Sequence, residues 1–123
     1  MMIWNEQIEC ADRAFLDELT MERLKNEVKR AYDNVPFYKK ELDEAGVKPE
    51  EIRSLADYQK VPFTVKTDLR DNYPYGLFAA PMKEIVRIHG SSGTTGKPII
   101  VGYTKGDLDM WKECISRLIY MAG

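Results

Sequence analysis

The densest chemistry in the sequence lies in Ser91-Ser92-Gly93-Thr94-Thr95-Gly96-Lys97-Pro98. Within eight residues it offers four hydroxyls, two glycines, one ammonium and a row of backbone N–H groups. Gly93 and Gly96 can take positive φ or let another group approach the backbone closely, and every hydroxyl and amide can donate a hydrogen bond. That inventory suits an anion with several oxygens, polyphosphate first among them. The same composition also occurs in hairpin loops that bind nothing.

Spacing excludes two better-known phosphate binders. Counting back from Gly96-Lys97 places Ser91 where the first glycine of a Walker A loop would stand, and Pro98 replaces its magnesium-binding hydroxyl. Gly90, Gly93 and Gly96 are three apart, with no helical pattern directly after them, so the stretch is not a dinucleotide fingerprint either. His89, the only histidine, directly precedes the loop and titrates near neutrality. It has no Cys, Ser or second His at a useful offset, so it reads as a structural strand-terminal residue.

Two strands must position this loop. Ile85-Val86-Arg87-Ile88-His89 and Ile99-Ile100-Val101-Gly102-Tyr103 have the β-branched and aromatic types that favour strands. Thr104-Lys105-Gly106-Asp107 then has capping-box spacing, and a helix over 105–122 follows. That helix carries Leu108, Trp111, Ile115, Leu118, Ile119 and Ala122 along one stripe. A two-stranded hairpin is a small receiver for so wide an apolar face.

Upstream, residues 1–60 read as a string of helices. One runs from about Cys10 to Leu19 and breaks near Thr20. A second, over 22–34, has Leu24, Val28, Ala31, Tyr32 and Val35 on one face and solvated charges opposite. Val35 precedes Pro36 and must leave the helical region. A helix over 37–45 is expected to stop at Gly46, with a further turn beginning at Pro49 and a short helix over 54–60. Thr64 is the expected cap of a helix over 65–71, with Asp68 near its positive end. Residues 72–78 are too rich in turn formers and aromatics to be regular. The fold class is therefore α+β: a helical first half, then a hairpin and a helix.

Beyond these local readings, HGSSGTTGKPIIVGYT (89–104) resembles the phosphate-binding signature of the adenylate-forming acyl-CoA ligases, in the form found in phenylacetate-CoA ligases. AYDNVPFY (31–38) and VPFTVKTDLRDNYPYGLFA (61–79) resemble that family as well, in the same order. The resemblance implies that 1–123 is an N-terminal fragment of the larger α/β adenylation domain. It implies ATP, Mg2+ and coenzyme A as substrates of the complete enzyme, and an aryl acid such as phenylacetate as the group activated. Ser91, Ser92, Gly93, Thr94, Thr95, Gly96 and Lys97 would hold the β- and γ-phosphates. The residues for adenine, ribose and the acyl group, and the family's C-terminal lysine, lie outside these 123 residues, so the isolated chain is expected to be inactive.

Composition narrows the remaining classes. A hydrophobic share of 44% and a charged share of 31% are ordinary for a globular chain, and a net charge of -2 gives no general attraction to nucleic acid or anionic membranes. Cys10 and Cys114 have neither metal nor redox spacing and read as reduced thiols of a cytoplasmic protein. The opening residues have no signal-peptide or membrane-span pattern. A P-loop-like NTPase is the first alternative, opposed by the failed Walker A count. The second is a non-enzymatic interaction or oligomerisation module that uses the apolar helix face, with a second copy or a completing polypeptide as partner.

Overall fold

A computed structural model describes residues 3–91, 96 and 98–123. Six α-helices and one two-stranded antiparallel sheet occur among them, α+β as the residue patterns imply.

Helix α1 is the single turn Glu6–Glu9, and α2 follows as Arg13–Asn34, capped by Asp12, whose carboxylate accepts the Phe15 N–H at 2.8 Å. The break expected near Thr20 does not occur, so the two helices read from the sequence are one. Thr20 donates its hydroxyl to the Leu16 carbonyl at 2.7 Å, which satisfies the side chain on the helix itself. Its low propensity is a cost of only tenths of a kcal/mol, too little to end a helix of this length. Val35 takes φ -121° and ψ 106°, as a residue before proline must, and serves as the end of α2 and the start of α3, Pro36–Glu44.

Gly46 closes α3 with φ +67°. The Val47 N–H donates to Leu42 O at 2.9 Å and the Gly46 N–H to Asp43 O at 3.1 Å, the paired bonds of a Schellman ending. This turn also drops Val47 onto Leu42. A 3-10 turn, Pro49–Glu51, then delivers Ile52 to the same place, and Val28, Leu42, Val47 and Ile52 form the core with Met21, Tyr32 and Val61 against it. Around its rim the Tyr32 hydroxyl donates to Asp43 at 2.8 Å, and Lys48 pairs with the same carboxylate.

Helix α4, Leu55–Tyr58, is capped by Ser54, whose Oγ accepts the Asp57 N–H at 3.2 Å and donates to Asp57 Oδ2 at 2.8 Å. With the Lys60 ammonium and the Arg53 N–H also on it, the Asp57 carboxyl is pulled from 3.8 to about 2, the Ser54 hydroxyl being the largest cause. Because the folded value lies below the unfolded one, the stability this group adds is present above pH 4 and is lost as pH falls from about 4 to 2. A carboxyl-carbon NMR titration should place the Asp57 midpoint near 2 in the native chain, and Ser54→Ala should return it towards 3.8. An unmoved midpoint in the variant would show that Ser54 is not the cause.

Helix α5 is Lys66–Asp71, and its cap position is Val65, not Thr64. Valine has no acceptor, so only the acidic half of a capping box operates: Asp68 accepts the Val65 N–H at 2.8 Å. A 3-10 turn, Met82–Glu84, leads into β1, Ile85–Gly90. Strand β2 is Ile100–Thr104, and α6, Lys105–Ala122, starts from a full Thr104/Asp107 capping box.

Candidate functional site

The hairpin that carries the loop is built from two dissimilar faces. Register pairs His89 with Val101, Arg87 with Tyr103, Ile88 with Gly102 and Gly90 with Ile100. Side chains alternate across a strand, so Ile88, Ile100 and Gly102 share one face and His89, Val101 and Tyr103 the other. On the first face Phe78 lies flush on Gly102, where an added Cβ would stand 2.5 Å from Phe78 Cε2. On the second, the His89 ring meets Tyr103 at 4.9 Å and Trp111 at 5.8 Å, both edge to face, and Tyr103 stacks on Trp111 at 5.5 Å. His89 is therefore an element of the aromatic packing that seats the start of α6 on the sheet. The sequence singled out His89 and Trp111 separately, and only the strand register brings them together.

The loop leaves and re-enters the sheet through a closed neck. The Ser91 N–H donates to Ile99 O at 3.0 Å and the Ile99 N–H donates to Ser91 Oγ at 3.2 Å. The first bond continues the backbone ladder one step past Gly90 and Ile100, and the second adds the Ser91 side chain at the same step. Ser91 Oγ still has its own proton to donate. Gly96 takes φ +124°, a conformation reserved in practice for glycine, and nothing stands within 4 Å of where its Cβ would be. A side chain at 96 would be excluded by the backbone and not by neighbours. Ser92, Gly93, Thr94, Thr95 and Lys97 lie outside the described residues.

Beside the sheet, a cavity of about 540 Å³ is lined by Phe78, Ile100, Tyr103 and Met110 together with Arg30 and Ala31 of α2. Among the described residues no cluster of three or more His, Cys, Asp or Glu is placed to hold a metal ion. Cys10 and Cys114 are both exposed free thiols. No helix among the described residues is long and apolar enough to cross a membrane.

On the far side of α6, Glu113 accepts from Trp4 Nε1 at 2.9 Å and Asn5 Nδ2 at 3.0 Å, and from Arg117 on its own helix. Trp4 also packs edge to face on Tyr120 at 5.6 Å. The N-terminal segment is thereby fixed to α6, a contact for which the sequence carries no local signal because the partners are about a hundred positions apart.

No family model matches the chain. Individual relatives do. The chain is 52% identical over 122 aligned residues to the phenylacetate-coenzyme A ligase of Thermus thermophilus, covering 99% of this chain and 27% of that protein. It is 50% identical to the enzyme of the same name from Escherichia coli, covering 99% of this chain and 29% of that one. Among solved structures it superposes on 2-hydroxyisobutyryl-CoA ligase in an open conformation, in complex with 2-HIB-AMP and CoA. There the TM-score is 0.85 with 30% identity, over 96% of this chain and 28% of that one. The same ligase in its thioesterification state matches at a TM-score of 0.80 with 33% identity. The likeness to phenylacetate-CoA ligases read from the motifs thus extends over essentially the whole chain, while the chain spans a little over a quarter of the length of those relatives.

Proposed function

We propose that this chain, akin to phenylacetate-CoA ligases along its length, supplies the phosphate-binding hairpin of an AMP-forming acid-thiol ligase that acts on an aryl acid such as phenylacetate. The observation that carries the reading is the half-identical match to the Thermus and Escherichia ligases across 99% of the chain. In such a reaction the substrate carboxylate attacks the α-phosphorus of ATP and pyrophosphate leaves. The coenzyme A thiol then attacks the acyl carbon of the mixed anhydride, and AMP leaves.

The part assigned to this chain is electrostatic. Ser91, Ser92, Thr94 and Thr95 donate hydroxyl hydrogen bonds to the β- and γ-phosphate oxygens, and backbone amides add to them where Gly93 and Gly96 let the phosphates come close. Lys97 balances the charge that grows on departing pyrophosphate. No residue of the loop is the nucleophile, which is the substrate itself. Mg2+ would accompany the nucleotide as its counter-ion.

The test is a hybrid in which this chain replaces the matching segment of the Escherichia ligase, assayed for phenylacetate-dependent exchange of pyrophosphate into ATP. The hybrid should exchange. Lys97→Ala should slow it roughly ten- to hundredfold, the worth of one charge-assisted hydrogen bond. A folded hybrid that exchanges equally well with and without Lys97 would refute the role given to the loop.

A further inference from the structure

At the neck the hairpin departs from its own ladder. Where two antiparallel residues face each other as a hydrogen-bonded pair, each N–H donates to the other's carbonyl. Ser91 and Ile99 make only half of that exchange. The Ser91 N–H reaches Ile99 O at 3.0 Å, but the Ile99 N–H goes to Ser91 Oγ at 3.2 Å. The side chain of residue 91 thus stands in for its own carbonyl, a substitution open to serine because its hydroxyl can accept from nearby backbone. Its carbonyl is released from the ladder, and the chain is free to turn out of the sheet directly after it. On the returning side no other donor is at hand. Of the two residues between Lys97 and β2, Pro98 has no N–H, so Ile99 carries the only one.

We infer that Ser91 is a positioning residue of the phosphate loop: by accepting the Ile99 N–H, its Oγ pins the point where the chain returns to the sheet against the point where it leaves. Its part in the reaction rests on the ligase reading above, and it is distinct from donation to phosphate. One oxygen can perform both duties, because a hydroxyl accepts through its lone pairs and donates through its proton. The acceptor duty is the one the geometry shows, since the Ile99 N–H occupies Oγ before any anion arrives. Alanine at 91 removes the acceptor and leaves the Ile99 N–H to water. Threonine keeps the oxygen, and its extra methyl falls at an exposed position.

The test uses the covalent hybrid described above. Deuterium uptake at the Ile99 amide should quicken roughly three- to tenfold in Ser91→Ala, the worth of one neutral hydrogen bond, and Ser91→Thr should restore the slower uptake. The remaining hairpin amides should keep their protection, which marks the variant as folded. A second variant separates positioning from phosphate donation. Replacing the peptide bond at Ile99 by an ester removes the N–H and leaves every side chain in place, the Ser91 hydroxyl included. Phenylacetate-dependent exchange of pyrophosphate into ATP should then slow roughly three- to tenfold. Ser91→Ala, which loses the phosphate donor as well, should be slower still. An ester hybrid as active as its parent overturns the positioning role, and so does an Ile99 amide that stays protected in Ser91→Ala. A parent hybrid that catalyses no pyrophosphate exchange removes the ligase reading instead, and deuterium uptake at Ile99 still decides whether Ser91 holds the neck.

Discussion

Truncation of Ile52 to alanine should destabilise the chain by about 2–5 kcal/mol, one of the two largest losses expected from a single side chain. Ile52 is 1% exposed and sits where the turn after Pro49–Glu51 meets Val28, Leu42 and Val47. Its replacement deletes three carbons, worth roughly 0.8 kcal/mol each in transfer from water, and leaves a hole that helices α2 and α3 cannot close without moving. With only six buried apolar side chains among the described residues, few neighbours can compensate. The urea midpoint should fall sharply with an unchanged slope, as for loss of stability without loss of cooperativity. Leu118→Ala is the control: Leu118 is 60% exposed, so its midpoint should move by no more than about 0.5 kcal/mol equivalent. Equal losses at 52 and 118 would mean that the core is not where the burial places it.

That contrast also shows what sequence pattern can and cannot reach. Leu118 stands in an apolar stripe of helical period, so periodicity marks it, whereas Ile52 is a single apolar residue between Glu51 and Arg53 that no period distinguishes. Its burial is set by the Schellman turn at Gly46 and the 3-10 turn at Pro49, two local stops that point one residue at α2. The stops themselves were legible, because Val35 before Pro36, Gly46 after α3 and the Thr104/Asp107 box each obey a steric or hydrogen-bonding rule that involves neighbours in sequence. Thr20 and Thr64 misled for the opposite reason. A threonine can end a helix, cap one or ride inside one, and the choice was made at Leu16 and at Val65–Asp68. For the candidate site, the two strands and the glycine at 96 were readable, while the neck at Ser91 and Ile99 needed strand register. The packing of His89 with Tyr103 and Trp111 needed the path of α6 as well.

Gly102 tests the hairpin from its other face. A glycine within a strand is ordinarily a weakness, and alanine there would be expected to gain about 0.5–1 kcal/mol from backbone entropy. Here the sign should reverse. An alanine Cβ would lie 2.5 Å from Phe78 Cε2, 2.7 Å from Cζ and 3.2 Å from Ile85 Cγ2, well inside contact distance for carbon. Either the Phe78 ring leaves the sheet or β2 shifts against β1, and overpacking of this kind costs about 1–3 kcal/mol. The two explanations separate in a double-mutant cycle. Phe78→Ala removes both ring atoms that clash, so Gly102→Ala in that background should be nearly neutral, with a coupling of about 1–3 kcal/mol between the sites. If Gly102→Ala costs the same with and without the ring, Phe78 is not what requires a glycine at 102. A cost that vanishes with the ring would identify Phe78 as the wall against which β2 is held. The bonds between Ser91 and Ile99, the latter three residues before Gly102 on the same strand path, would then owe their position to that contact.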